Sequence, residues 1–310
     1  MINYYTRSDN GKLKQTDALV PGAWVNVIAP TEAEIDELVT ATGAERDFLI
    51  AALDEEERGR VETEDGITFI LLDTPIAQKD EKNMVSYSTL PVGIVATRDN
   101  IITICLNENT ILKDFASGYV KNLNPVFKTR FVLQILLHIS IRYMSYLKQI
   151  DKIFDHLEKQ LYKSTKNREL IQLLDLQKSL VYLSTSLKTT EVTMNKIERG
   201  KILKLYEDDQ DLLDDVIIEY RQAREMAEIY NSILTGTMDA FASVISNNVN
   251  EIMKRLTYIT ILVAIPNMIA GFFGMNMDNI PLTQFFWFPI ALSALIIGIV
   301  LFIFLKKKML

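Results

Sequence analysis

Residues 258–279 read YITILVAIPNMIAGFFGMNMDN. They belong to an uncharged run of 18 residues, 256–273, that stops at Gly274-Met275-Asn276. A second uncharged run of 21 residues, 285–305, follows a short link and ends at Lys306, Lys307 and Lys308. Both runs meet the length of a membrane-spanning helix. Lys254 and Arg255 precede the first, lysines follow the second, and the link 274–284 has no basic residue. The positive-inside rule then places both chain ends in the cytoplasm and the link outside. Phe285, Phe286, Trp287 and Phe288 form an aromatic belt at the outer interface.

The first span is more than an anchor. Steps of three and four from Asp239 reach Ser243, Ser246, Asn250, Met253, Thr257, Thr260, Ala264, Asn267 and Gly271. Almost every one is small or polar. Ile245, Val249, Ile252, Leu256, Ile259, Leu262, Val263 and Met268 lie off this stripe. A seven-residue repeat keeps one helix face on the axis of a left-handed bundle. An asparagine at mid-membrane depth is costly against lipid and acceptable against water or a partner. The stripe therefore lines a pore or packs helices closely. The two Asn, the two Thr and the acidic Asp239 at the cytoplasmic end favour the pore. One hairpin cannot enclose a channel, so several copies are needed.

Upstream, the pattern is helical. Residues 201–273 contain only Gly236, Pro266 and Gly271 as breakers. A continuous helix there would be roughly 110 Å long at 1.5 Å per residue, too long for a compact monomer without a bundle around it. No Gly or Pro occurs over 126–199, and Leu133, Leu136, Leu137, Ile141, Met144, Leu147, Ile150 and Phe154 recur at helical spacing. That spacing, repeated over 170–192, predicts two long helices packed as an antiparallel pair.

Residues 1–125 have an α/β texture. WVNVI at 24–28 predicts a strand, and Thr31 with Glu34 forms a capping box for a helix over 32–42 that Gly43 stops. A helix over 47–54 and strands at 66–73, 90–97 and 100–106 follow. The expected organisation is thus a cytoplasmic α/β domain (1–125), a long-helix stalk region (126–255) and a transmembrane hairpin (256–310).

The net charge of −7 disfavours a nucleic-acid partner held through phosphates. Acids cluster over 54–65 and 207–219, which favours cations, although runs such as Asp54-Glu55-Glu56-Glu57 are more often a solvated helix end. The single Cys105 sits in an apolar run and reads as a buried core thiol. With only His138 and His156, a His/Cys zinc site within one chain is disfavoured. The N-terminus MINYYTRSDNGKLKQ lacks the apolar core of a signal peptide, so the large domain is expected to stay in the cytoplasm. No nucleophile–base motif, phosphate-binding glycine loop or His-based metal motif is present, which argues against an enzyme.

Gly274-Met275-Asn276 at the outer end of the first of two C-terminal spans resembles the signature of the CorA-type magnesium transport family. The likeness extends through residues 250–257, through Ala270-Gly271-Phe272-Phe273, the terminal lysines and the α/β-then-long-helix layout. The resemblance implies a funnel-shaped homopentamer in the inner or plasma membrane. Five stalk helices would surround one pore for Mg²⁺, with Co²⁺ or Ni²⁺ as a further ion. Five Asn276 side chains would hydrogen-bond the water shell that Mg²⁺ surrenders reluctantly. Gly274 would let the chain leave the helix, and Met275 would pack the loop. Asn250 and Met253 become inner rings, the second an apolar constriction, and Asp239 an acidic position at the cytoplasmic mouth.

The resemblance also implies closure by cytoplasmic Mg²⁺ bound between neighbouring subunits. Asp215 matches the stalk carboxylate of that site, with Asp80 the first choice of partner and Asp73 the second. Facing carboxylates repel unless a cation bridges them. Two departures matter. Asp278 stands in the outer loop where many members carry Glu, and Ala264 stands where some carry a bulkier apolar residue. Two other readings remain open: a relative that carries Zn²⁺, Co²⁺ or Ni²⁺, and a membrane-anchored metal sensor or scaffold that conducts nothing.

Overall fold

The short apolar runs of the N-terminal region pair into one seven-stranded sheet. The computed structural model describes residues 1–8, 11–79, 85–163, 167–199, 202–203, 205–275 and 285–307. In chain order its elements are β1 (Ile2–Arg7), β2 (Leu13–Thr16), β3 (Trp24–Ile28), α1 (Glu32–Thr42), α2 (Arg46–Ala51), β4 (Arg60–Glu64), β5 (Ile67–Lys79), β6 (Val85–Ala96), β7 (Ile101–Cys105), α3 (Thr110–Ala116), α4 (Lys128–Lys163), α5 (Asn167–Glu198), α6 (Glu207–Phe273) and α7 (Trp287–Lys306). The chain divides into two units, Met1–Thr237 and Met238–Leu310.

In the first unit the strand order is β2-β1-β3-β7-β6-β5-β4. β3 and β7 run parallel, and the other described neighbours are antiparallel. Alternate residues of a strand point to opposite faces. Val25 and Val27 therefore join Ile35, Leu38, Phe48 and Leu49 of α1 and α2 in one core. Trp24 turns the other way onto Phe115 of α3 and Phe131 of α4. The polar groups on that side are satisfied: Trp24 Nε1 donates to Thr103 Oγ1 at 2.8 Å, and Thr103 donates to Asn26 Oδ1 at 3.0 Å. A helical layer thus covers each face of the sheet.

Local signals behave as their chemistry dictates. The Thr31–Glu34 capping box forms, and Gly43 ends α1 in the left-handed region at φ 70°. Two strands are longer than expected, because β5 and β6 pair from Thr68↔Ala96 to Lys79↔Val85. Asp73-Thr74-Pro75 reads locally as a strand end. Pro75 is tolerated because β4 covers β5 only as far as Leu71. Pro91 similarly lies outside the stretch Gly93–Ala96 that β7 pairs. At Gly93 the layers close tightly: a β-carbon there would sit 2.5 Å from Ala52 Cβ and 2.9 Å from Ile104 Cγ2. Cys105 is buried in the sheet, and burial pushes its thiol up to about 12.

The long helices form as the spacing predicts. α4 has 36 residues and α5 has 32, and they pack on each other and on β5 and β6. α6 is one helix of 67 residues running through Pro266. It starts at Glu207, where Glu207, Asp208 and Asp209 occupy the first turn and favour the positive end of the helix dipole. Its first segment buries Leu213, Val216, Ile217, Tyr220, Ala223, Ala227 and Leu234.

The second unit is an antiparallel helical hairpin. Tyr258 meets Phe304 at 4.8 Å between ring centroids, and Phe273 meets Phe288 at 5.9 Å. Low numbers on α6 thus face high numbers on α7. Both helices are long and apolar enough to cross a membrane by length and composition.

Candidate functional site

The membrane part of α6 has two unlike faces. Tyr258, Leu262, Ile265, Ile269 and Phe273 are buried or half-buried, and their spacing puts them on one side, where Tyr258 and Phe273 meet α7. Asp239, Ser243, Ser246, Asn250, Met253, Thr257, Thr260, Ala264, Asn267 and Gly271 are all exposed. At 3.6 residues per turn the two sets lie roughly 150° apart. The small and polar stripe therefore faces away from the chain's own second span. Thr257 and Thr260 donate their hydroxyls to the carbonyls of Met253 and Leu256, each at 2.8 Å. The helix satisfies those protons itself, and each hydroxyl oxygen keeps acceptor capacity toward the stripe. At the charged edge of the span, Arg255 pairs with Glu251 at 2.5 Å.

The end of α6 shows how Gly274 acts. Its N–H closes the last turn on Ala270 O at 2.9 Å, and a β-carbon there would come within 3.2 Å of the same oxygen. Small size at a tight turn, rather than a left-handed backbone, is what the position uses. Met275 is exposed. Asn276 and Asp278 lie outside the described residues.

The carboxylates of the expected regulatory site differ in setting. Asp215 is exposed on α6, between the buried residues Leu213 and Val216. Asp80 lies outside the described residues. Asp73 is half-buried in β5; burial raises its carboxyl above the usual range, and a hydrogen bond with Ser186 opposes the shift. Among the described residues no group of three or more His, Cys, Asp or Glu side chains is placed to hold a metal ion.

Sequence reasoning missed the polar cluster around Asp73. Tyr143 Oη lies 2.6 Å from Ser186 Oγ and donates to Asp73 O at 3.1 Å. Burial, then the Asp73 charge, push both the Tyr143 and Tyr220 phenols above their ordinary range. The four residues come from β5, α4, α5 and α6, so no local signal could have grouped them. Another such pair is Arg130 of α4 with the buried Asp209 of α6, at 3.6 Å. That pair lines a cleft of about 1030 Å³, together with Arg7, Phe127, Lys128, Tyr206 and Asp211.

The chain matches the family model described as CorA-like Mg²⁺ transporter protein over residues 22–307. The cobalt/magnesium transport protein CorA of Methanocaldococcus jannaschii is 28% identical over 296 residues, covering 92% of this chain and 90% of that protein. The protein of the same name from Thermotoga maritima is 22% identical over 291 residues, covering 92% and 82%. Among solved structures, the complete CorA magnesium transporter of M. jannaschii superposes with a TM-score of 0.83 at 24% identity, over 98% of this chain and 97% of that one. At that identity the structural likeness is one of fold.

Proposed function

The chain belongs to the CorA-like Mg²⁺ transporter family, and from that premise we propose that it is a membrane channel for hydrated Mg²⁺, built from several copies around one pore. Co²⁺ is the second ion of this reading, since the relatives from M. jannaschii and T. maritima are named cobalt/magnesium transport proteins. The observation that carries it is the two-faced span. One side of α6 packs on α7, and the other presents a continuous stripe of mostly small and polar residues that is exposed among the described residues. Five copies, the number the family resemblance implies, would turn that stripe into the wall of a pore.

In this reading Asn276 forms the outer ring, with Gly274 and Met275 holding the turn. A neutral amide oxygen accepts hydrogen bonds from the water shell of Mg²⁺ without having to replace it. Asp278 collects cations outside. Asn250 and Met253 form the inner polar ring and the apolar constriction, and Asp239 marks the cytoplasmic mouth. Thr257, Thr260, Ala264, Asn267 and Gly271 line the stretch between. Both chain ends are cytoplasmic and the loop is outside.

Closure is by cytoplasmic Mg²⁺ bridging Asp215 and a carboxylate of the next subunit. Asp80 is the first candidate. Asp73 is the second, weakened as a bridge by its partial burial in β5. The bridge stabilises the closed arrangement because the two carboxylates repel when the cation leaves.

The deciding experiment is Mg²⁺ flux into liposomes holding the purified protein, wild type beside Asn276→Ala. Flux in the wild type, with near-complete loss in a variant that assembles normally, is the expected result. Absence of flux in correctly inserted wild-type assemblies with chelated internal Mg²⁺ would sink the channel reading.

A further inference from the structure

The two helices of the second unit bring basic residues together at one end of the hairpin. Tyr258 of α6 meets Phe304 of α7 at 4.8 Å between ring centroids. Lys254 and Arg255 lie about one turn before Tyr258, and Lys306 and Lys307 lie within about one turn after Phe304. All four are exposed. Just inside them begin the uncharged stretches of both helices, which are long and apolar enough to cross a membrane by length and composition. The four cations thus stand at the edge of a surface that a bilayer would cover.

The four are not equivalent. Each residue of a helix turns about 100° from the one before it. Measured from the Tyr258–Phe304 contact, Lys254 is turned back from Tyr258 by roughly 40° and Ile261 by roughly 60°. On α7, Lys307 is turned back from Phe304 by roughly 60° and Ile303 by roughly 100°. The two helices are antiparallel, so the same sense of rotation about each leads to the same flank of the hairpin. Lys254 and Lys307 therefore share one flank. Ile261 and Ile303, 41% and 44% exposed, continue that flank toward the middle of the spans. Arg255 is turned roughly 60° the other way and pairs with Glu251. Lys306 lies roughly 160° around α7 from Phe304 and points away from α6. Among the described residues neither Lys254 nor Lys307 has an ion-pair partner; Glu251, the acid nearest to Lys254 in sequence, is taken by Arg255.

We propose that this flank is a binding site for one anionic phospholipid. The ammonium groups of Lys254 and Lys307 hold the phosphate between them, and an acyl chain lies along Ile261 and Ile303. Lysines close to the membrane surface attract anionic headgroups. A phosphatidylcholine headgroup carries its own cation, which two unpaired ammonium groups repel. The ligand is a lipid rather than a free phosphate because the apolar surface continues directly from the two cations. By engaging one lysine from each helix, the lipid ties the ends of α6 and α7 together. The site rests on the reading of these helices as membrane spans and is independent of whether the chain conducts Mg²⁺.

The test titrates the full-length protein in detergent with phosphatidylglycerol and counts bound lipid by native mass spectrometry, with phosphatidylcholine as the neutral comparison. One phosphatidylglycerol per chain should be retained in preference to phosphatidylcholine. Lys254→Gln and Lys307→Gln should each weaken that binding about fivefold, the effect of one lysine on an anionic headgroup, whereas Lys306→Gln should change it by less than about twofold. All three substitutions remove the same charge from an exposed position. Equal weakening in the three would overturn the site, because attraction to a generally basic end does not distinguish them. Absence of any preference for phosphatidylglycerol in the wild type would also overturn it. So would displacement of the lipid by an equal concentration of soluble glycerol phosphate, which would make the site one for phosphate alone. The spans are checked separately, by floating vesicles that carry the protein after an alkaline wash. Protein that stays with the vesicles but shows no lipid preference would sink the site alone. Protein stripped from them would sink the spans and the site together.

Discussion

The two units of this chain treat their apolar side chains in opposite ways. Met1–Thr237 buries Trp24, Phe69, Phe115 and Phe131 completely, and one helical layer closes each face of its sheet. Met238–Leu310 leaves Ile252, Leu256, Ile259, Val263, Met268, Leu295 and Phe302 more than half exposed. The described residues of α7 include none that is buried. A helix that is apolar all round belongs in a membrane or a large core. The first unit therefore keeps a buried core within the chain. The second exposes apolar surface that a bilayer would cover. A lesion in the first should read out as lost stability, and a lesion in the second as lost transport.

The sharpest break of that contrast is inside the second unit. Asn267→Leu, on the stripe, should lower Mg²⁺ flux about tenfold or more, as expected where a functional intramembrane polar group is removed. Ser293→Ala on α7 removes only a hydroxyl that bonds Pro289 O in its own helix, and should leave flux within about twofold, since such self-satisfied hydroxyls contribute little. Liposome flux assays of both variants decide it. Equal losses would mean that the stripe has no special role.

Asp215→Ala tests an exposed residue of the first unit whose proposed role lies between subunits. It should raise the cytoplasmic Mg²⁺ needed for half-closure by roughly tenfold, the equivalent of one lost charge-assisted contact, without lowering thermal stability. Unchanged inhibition in flux assays would remove Asp215 from the regulatory site.

Gly93→Val asks the opposite question of the same unit. The added side chain would press on Ala52, Ile104 and Phe69. It should destabilise the fold by about 2 kcal/mol or more, an overpacking penalty, seen as a lower unfolding temperature of the full-length protein. The folded fraction should still conduct.

The last test concerns Cys105. Burial pushes its folded thiol up to about 12, above the ordinary 9.0. Between those values the unfolded chain loses this proton and the folded chain keeps it. Stability is therefore full below pH 9 and falls as pH rises toward 12. Cys105→Ala should flatten that part of the stability profile, and the wild-type thiol should resist maleimide at pH 8 in the folded protein.

What was legible beforehand follows the range of the interactions. Thr31, Glu34 and Gly43 announced α1 because capping acts within one turn. The 3.6-residue period announced α4, α5 and α6 because a helix closes its hydrogen bonds locally. The terminal β1–β2 hairpin, β4 and α3 left no comparable mark. Neither did the length of the β5–β6 pair, because strands are stabilised by partners distant in sequence.

The sequence by itself determined the two spans, the polar stripe on the first of them, the charges that flank them and the signature tripeptide. These depend on residue type, spacing and the fixed thickness of a bilayer. Tertiary structure alone decided which side of α6 the second span covers, and so that the stripe is turned away from it. It alone gathered Asp73, Tyr143, Ser186 and Tyr220 from four separate elements into one buried group. No period or propensity encodes that meeting, because it exists only once the sheet and three helices have packed.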